Sequence, residues 1–185
     1  NFLNLNYVSF TDTIDVENIK LDSSKWILKE FEEVQKRYFE NIEKYQFHEV
    51  ASLLYHFTWH TYCDWYIEFI KTDFKDSDKS EETKKISGWV FVQTLKLLHP
   101  VMPFLTEKLW LSLVNQKTFL MSQEFKKVKF DESYEESKKY ILKIIEIMTA
   151  LRNLRADLNI SYKNAIDLIV DTKNADLKKF ISNYE

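Results

Sequence analysis

Apolar residues recur at three- and four-residue steps from residue 22 to residue 44, which is the period of a helix with one buried face. Asp22 or Ser23 supplies an N-cap residue type just before this run. The pattern predicts a first helix that ends near Lys44. Its apolar positions are Ile27, Phe31, Val34, Tyr38, Ile42 and Tyr45.

A second helical pattern runs from about Phe47 to Ile70. Its apolar face is too broad for a surface helix, because aromatic and aliphatic residues widen the main stripe on both sides. The pattern therefore predicts a helix at the centre of the fold. The stretch FTWHTYCDWYIE, from Phe57 to Glu68, is its most aromatic part.

Three further helices are predicted in the middle of the chain. The run from Lys71 to Thr83 is read as a charged turn, and a third helix follows it to about His99, because Pro100 restricts the residue before it. Pro103 fits the first position of a fourth helix. After a connector over 115–132, a fifth helix is expected from Ser133 to about Leu158.

The two ends of the chain carry a different pattern. Residues 1–21 have no sustained period, and the chain opens on Asn1, so we expect a linker that is cut from something longer. From Ala165 to Val170 the residues alternate and are rich in Ile and Val, which predicts one strand. The predicted fold is mainly α: an antiparallel helical bundle over 22–158, with a small, incomplete α/β appendage over 159–185.

Composition narrows the possible functions. The chain of 185 residues contains one Gly and two Pro, so a glycine-rich phosphate loop or a dinucleotide fingerprint cannot be built from it. Its single cysteine excludes an internal disulfide and suits a reducing compartment. Charges interrupt every apolar stretch before the roughly 20 residues that a membrane span needs. We expect a cytoplasmic protein with no membrane contact.

The second helix also carries a possible metal site, because His56, His60 and Cys63 recur at helical spacing. All three lie among rings that the helix needs for packing, so a core is the favoured interpretation and no metal is expected. As a nucleophile, Cys63 would need a base and an electropositive setting, and the sequence offers only His56 and His60 nearby and no evident cleft. No catalytic residue is therefore assigned.

The fifth helix is rich in basic residues and contains Arg152 and Arg155 on one face. The only other arginine is Arg37, and the remaining basic residues are lysines. Where lysine is so dominant, an arginine indicates a position that needs a planar, bidentate donor. These arginines form either a phosphate-contacting ridge or struts to acidic residues of the bundle. Without further information the strut is favoured. Its acidic partners would be Asp64, Glu68 or Glu107.

Three motifs together resemble the valyl-tRNA synthetases: FTWHTYCDWYIE, then LLHPVMPFLTEKLW over 97–110, and LRNLRADLNI over 151–160. The second motif is shared with the isoleucyl, leucyl and methionyl enzymes, whereas the first is more specific for the valine enzymes. The resemblance covers nearly the whole chain. The sequence departs from the family at His60, where Asn is common, and over 159–165, where a Pro-containing turn is usual.

The resemblance implies the helical anticodon-binding domain, with the anticodon stem-loop of tRNA(Val) as its partner. The intact enzyme would activate valine with ATP and Mg²⁺ in a catalytic domain and edit misacylated tRNA in another domain of the same chain. No motif for that chemistry occurs in this sequence, so no cofactor is expected here. The alternatives are an isoleucyl or leucyl enzyme, or a helical protein-protein adaptor without an RNA role.

Charge and helix faces give a hypothesis for the RNA contacts. Phosphates would be held by Lys25, Lys29, Arg37, Arg152 and Arg155. An exposed ring from the first helix or the tail, such as Trp26, Phe2 or Tyr38, would stack on an unpaired base.

Overall fold

The computed structural model describes residues 2–15, 18–114, 117–161, 164 and 178, and the regular elements within those ranges are all helical. The α-helices are α1 (Phe2–Leu5), α2 (Asp22–Glu43), α3 (Phe47–Tyr55), α4 (Ile67–Phe69), α5 (Ser77–Leu98), α6 (Pro103–Leu109) and α7 (Tyr134–Asp157). Two π-helical segments, His56–Tyr66 and Trp110–Val114, continue α3 and α6. Short 3₁₀ turns lie at Asp73–Lys75 and Leu120–Ser122.

The helical bundle is confirmed, and α2 and α7 begin and end within a residue or two of the predicted bounds. The appendage predicted over 159–185, including the strand from Ala165 to Val170, falls almost entirely outside the described residues.

The centre of the bundle is an antiparallel packing of α2 against the continuous helical stretch from 47 to 69. The ring of Phe31 meets Phe57 edge-on at 5.8 Å between centroids. Five residues earlier in α2, Trp26 meets Phe69 at 5.7 Å. The residue number of the contacting rings decreases along α2 as it increases along the second stretch, so the two helices are antiparallel. Such edge-to-face pairs add about 0.5–1.5 kcal/mol to the burial of their area.

The predicted second helix is one continuous element, but its middle is not α-helical. From His56 to Tyr66 the hydrogen bonds follow the wider π pattern. The sequence did not predict this, because period analysis assumes 3.6 residues per turn. Phe57, Tyr62 and Tyr66 point into the core, whereas Trp59, His60 and Cys63 are exposed. The aromatic stretch is therefore core on one side only.

The predicted N-cap of α2 and the predicted start of α5 were wrong. The N-cap of α2 is Leu21, without a side-chain cap; instead the Glu82 carboxylate accepts the backbone N–H groups of Lys20 and Leu21. Helix α5 begins at Ser77, inside the predicted charged turn, and the Asp76 side chain caps it by accepting from the Asp78 N–H. The Asp76 cap thus allows α5 to begin within a stretch that its charged residues predicted to be a turn.

The described part of the predicted N-terminal linker packs along α5. The side chains of Gln93 and Lys96 both donate to the Asp12 carboxylate, at 2.7 and 2.6 Å. At Gly88 the tail backbone comes so close that a Cβ would lie 2.2 Å from the Ser9 carbonyl oxygen. The only glycine of the chain is therefore used for helix-to-tail packing.

The connector between α6 and α7 is extended and is held by side chains of α2. The Gln35 amide accepts the Val128 N–H at 2.6 Å and donates to the Lys126 carbonyl at 3.0 Å. Since Gln35 is buried, it satisfies backbone groups of the connector in the way that a strand neighbour would.

Helices α2 and α7 are joined by two buried lysines. The Lys29 ammonium lies 3.1 Å from Glu32, 3.7 Å from Glu132 and 3.5 Å from Glu135. Lys138 pairs in the same way with Glu33 at 2.6 Å and Glu30 at 3.4 Å. Burial by itself lowers the pKa of Lys29, but the hydrogen bond and charge of Glu32, with the other two carboxylates, outweigh it, so the pKa is raised above 10.5.

We predict that Gly88→Ala destabilises the protein by about 1–3 kcal/mol, because the new methyl group collides with the Ser9 carbonyl. Urea denaturation measures the free energy of unfolding. The matched control is the same substitution in a protein that lacks residues 1–15. There the collision is absent, and Ala should stabilise the helix by up to about 1 kcal/mol. An equal loss in both backgrounds would contradict the tail packing.

We predict that Lys29→Met costs about 1–3 kcal/mol at neutral pH, because it leaves Glu32 partly buried without its cation. A raised lysine pKa means that the folded state holds the proton more tightly than the unfolded state. The contribution is therefore complete below pH 10.5 and is lost as pH rises through the folded pKa. Unfolding free energies from pH 7 to above pH 11 should converge for the two proteins. The control is Lys139→Met at an exposed position of α7, which should follow the wild type throughout.

Candidate nucleic-acid interface

Arg152 is exposed near the C-terminal end of α7, and its guanidinium carbon lies 4.5 Å from the centroid of the Trp65 ring. Trp65 in turn stacks on Phe69 at 6.1 Å with an interplanar angle of 27°. The stack leaves the guanidinium N–H groups at its edge, where they can donate to a phosphate. Among the described residues no carboxylate pairs with Arg152, so the predicted struts to Asp64, Glu68 or Glu107 are not formed.

Arg155 has a different role. Its guanidinium donates to the backbone carbonyl of Ser161 at 2.5 Å and to that of Asn164 at 2.7 Å. These bonds tie the end of α7 to the chain that follows it, where Asn159 turns with a positive φ of 52°. Arg155 therefore has a structural role within the domain, although its partners are backbone carbonyls and not carboxylates. The departure from the family's Pro-containing turn falls in this segment.

Of the cations predicted to contact RNA, the other two that reach the surface are Arg37 and Lys25. Arg37 is exposed on α2 and has no ion pair with any described residue. Lys25 is half-buried, with its ammonium 5.9 Å from the centroid of the Tyr134 ring. Tyr134 and Arg152 are 18 residues apart on α7, or about 27 Å along its axis. The structure therefore does not gather these cations into one cluster but distributes them along the bundle.

Trp26 and Lys29 do not reach the surface, which corrects two predicted RNA contacts. Trp26 is 1% exposed between the rings of Tyr66 and Phe69, so no base can stack on it. Lys29 is 4% exposed, and its charge is taken by three carboxylates. The alternative rings fail for the same reason, since Tyr38 is buried and Phe2 is half-buried against Phe74.

An exposed aromatic pair lies elsewhere, at the turn between α2 and α3. Tyr45 is 80% exposed, and its ring meets that of exposed Phe47 at 6.2 Å. Tyr45 has a φ of 58°, an uncommon value for a bulky residue and a reason to look for a function. Sequence analysis placed Tyr45 on the apolar stripe of the first helix. Its position between two predicted helices was the signal that could have identified an exposed turn.

The two histidine side chains of the first π-helical segment lie close together, but no metal site is formed around them by the described residues. The rings of His56 and His60 lie 5.0 Å apart with an interplanar angle of 44°, and the His60 Nδ1 lies 3.2 Å from the Asp64 carboxylate. Over the described ranges there is no group of three or more His, Cys, Asp or Glu side chains arranged to hold a metal ion. None of the described helices has the length and apolar character needed to cross a bilayer.

Comparison with known proteins gives one family. Residues 24–170 match the family described as the anticodon-binding domain of tRNA ligase. Among curated proteins, the chain is 34% identical to the valine-tRNA ligase of Pelagibacter ubique, over all of this chain and 22% of that protein. It is 32% identical to the enzyme of Staphylococcus carnosus, over 93% of this chain and 20% of that protein.

A third relative, the valine-tRNA ligase of Lactiplantibacillus plantarum, is 35% identical over 84% of this chain and 18% of that protein. The chain thus spans about a fifth of the length of these relatives. The helical bundle, the family match over most of its length and these relatives agree: the chain belongs to the anticodon-binding domain family of tRNA ligases.

Proposed function

We propose that this chain is the anticodon-recognising domain of a valine-tRNA ligase and that it binds the anticodon stem-loop of tRNA(Val). The observation that carries the proposal is the guanidinium of Arg152, which is stacked on Trp65, exposed to solvent and without a carboxylate partner among the described residues. An arginine held in this way is oriented before it meets a phosphate, so less rotamer entropy is lost on binding.

The stem of the RNA would be held through its phosphates by Arg152, Arg37 and Lys25. Along α7, Arg152 lies about 27 Å from Tyr134, the residue whose ring Lys25 contacts. This spread suits a contact along several nucleotides rather than one tight pocket. Net charge is −3, so binding depends on these local cations and not on the charge of the whole domain. Electrostatic contacts of this kind weaken as salt concentration rises.

The unpaired anticodon bases would stack on Tyr45 and Phe47. Single-stranded bases can be splayed out and stacked on aromatic rings, whereas bases within the stem cannot. Each stacked base contributes about 1–3 kcal/mol. Valine codons begin with G and U, so the anticodon ends in A and then C, and these two bases carry the information that identifies valine.

The full ligase would attach valine to its tRNA by using ATP and Mg²⁺ in domains that this chain does not contain. The described residues do not fit a nucleotide site, because the only glycine is buried against the tail backbone at Ser9 and cannot form a phosphate loop. We assign no step of that chemistry to this chain. Its contribution is recognition.

We predict that the chain binds an anticodon hairpin ending in A and C more tightly than the same hairpin with the middle A changed to U. The expected difference is about five- to 150-fold, which corresponds to about 1–3 kcal/mol for the base-edge hydrogen bonds that the changed base loses. Fluorescence anisotropy with labelled hairpins measures it. The slope of log affinity against log salt should be about −0.7 to −0.9 per phosphate contact, the values for single strands and duplexes.

The same titration tests the alternatives. A preference for the hairpin that carries an isoleucine or leucine anticodon would assign the domain to one of those enzymes. Equal binding to all hairpins would reduce it to a platform that holds the stem. The absence of salt-dependent binding to any hairpin would favour the adaptor without an RNA role.

We predict that Arg152→Ala lowers hairpin affinity and reduces the salt slope by about one contact, with little change in melting temperature. Arg155→Ala is the contrasting variant, and it should lower thermal stability because it releases the carbonyls of Ser161 and Asn164. Tyr45→Ala should weaken binding but leave the salt slope unchanged, since a ring carries no charge. If Arg152→Ala alters stability as much as Arg155→Ala does, Arg152 is structural and the phosphate contact is wrong.

A further inference from the structure

A large apolar groove lies on the side of the bundle formed by α3, the first π-helical segment, α5 and α6. It has a volume of about 560 Å³. One wall runs from Ala51 to Cys63, and the other is built by the corner between α5 and α6. Among the described residues that line it, none is charged. The side chains nearest to solvent are Tyr55, Trp59, Cys63, Val101, Met102 and Leu105.

The groove exposes more apolar surface than packing requires. Trp59 is 55% exposed and Leu105 is 51% exposed on opposite walls. Single exposed apolar residues are common, but a contiguous apolar patch of this kind on a soluble domain marks an interaction site. RNA is a poor occupant, because its phosphates need cations and the lining provides none.

Both walls are held in place before anything binds. At the corner after α5, the N–H groups of Val101 and Met102 both donate to the Leu98 carbonyl, at 3.0 and 2.9 Å. Pro103 then begins α6 with its φ already suited to a helix. On the opposite wall, the π-helical segment turns Trp59 and Cys63 outward while Tyr62 stays buried. A preformed groove of this kind accepts an apolar partner with little loss of entropy.

The groove continues into a second hollow of about 310 Å³. The two share Tyr62, Cys63 and Phe91 in their linings, and the second is also lined by Phe2 and Leu3 of α1. Helix α1 has only four residues, far fewer than a helix needs to persist by itself. Because Phe2 and Leu3 line the second hollow, a polypeptide that leads into α1 from its N-terminal side arrives beside the groove.

We propose that the groove docks an amphipathic helix of the ligase polypeptide that precedes α1 in the chain. This chain spans about a fifth of its relatives, so the longer polypeptide has ample length for such a helix. The wall from Ala51 to Cys63 is about 18 Å long, which matches a helix of about 12 residues. Apolar side chains at every third or fourth position would fill the groove. The inference rests on the part of the proposed function that joins this chain to a longer ligase, and not on RNA binding.

Cys63 provides a probe inside the groove, since it is exposed and is the only cysteine of this sequence. Its alkylation by N-ethylmaleimide can be followed by peptide mass mapping in the 185-residue chain and in the full-length ligase. The reaction is run at about pH 8.5 for both, because burial and then the nearby Asp64 charge raise the pKa of the thiol. We predict at least tenfold slower labelling in the full-length protein. Equal rates would overturn the proposal.

Two variants of the full-length ligase make the test specific. Leu105→Asp places a charge on the groove wall and should restore fast labelling of Cys63. Leu142→Asp is the matched control, because Leu142 is an exposed leucine of α7 that does not line the groove, and labelling should stay slow. Circular dichroism confirms that both variants are folded. Slow labelling in Leu105→Asp would mean that Cys63 is protected by something other than an occupant of the groove.

The occupant itself can be tested with a synthetic peptide that carries the residues directly before α1 in the full-length ligase. Added to the 185-residue chain, it should slow Cys63 labelling, and Leu105→Asp should abolish the effect. If the labelling of Cys63 in the 185-residue chain alone slows as its concentration rises, the groove binds a second copy of the chain, and the proposal is overturned. All labelling is measured without RNA, so a failure here is distinct from a failure to recognise the anticodon.

Discussion

The packing of aromatic rings between α2 and the antiparallel stretch from 47 to 69 determines where the surface features lie. Trp26 contacts Phe69, Phe69 stacks on Trp65, and Trp65 carries the Arg152 guanidinium. A chain of ring contacts thus runs from the centre of the bundle to an exposed cation. Because interiors are close-packed, a change at Trp26 would shift the rings that orient Arg152. The residue that seemed a stacking platform for RNA instead supports one of the proposed phosphate contacts from within.

The distribution of the cations shows why residue type alone was a weak guide. Arginine is usually preferred in buried ion pairs, because its planar fork matches carboxylates. In this lysine-rich chain, the largely buried ammonium groups of Lys29, Lys96 and Lys138 form the ion pairs that hold the bundle and its tail. Of the three arginines, two are left at the surface without a carboxylate partner among the described residues. Rarity alone does not separate the two kinds of position, because Arg155 is also rare and donates to backbone carbonyls.

The bounds of α2 and α7 were predictable, because their apolar residues keep a period of 3.6 over many turns. The burial of Trp26 and Lys29 was not. In α2 they share a face with Glu30 and Glu33, and a face with so many charges is expected to meet solvent. Helix α7 covers it, and Lys138 pairs with both glutamates. Such pairing depends on a partner helix more than a hundred residues away, so the sequence of α2 alone could not reveal it.

The first π-helical segment separates the two proposed surfaces. Cys63 and Trp65 are two residues apart and therefore lie on nearly opposite sides of the helix. One side faces the apolar groove, and the other supports Arg152. Tyr62 and Tyr66 stay in the core between them, and burial, with lesser effects from nearby charges, raises the pKa of both phenols well above their ordinary value. A helix anchored by buried rings on its inner face can present different chemistry on its two flanks. Docking of the longer polypeptide on one flank would then leave the flank that supports Arg152 free.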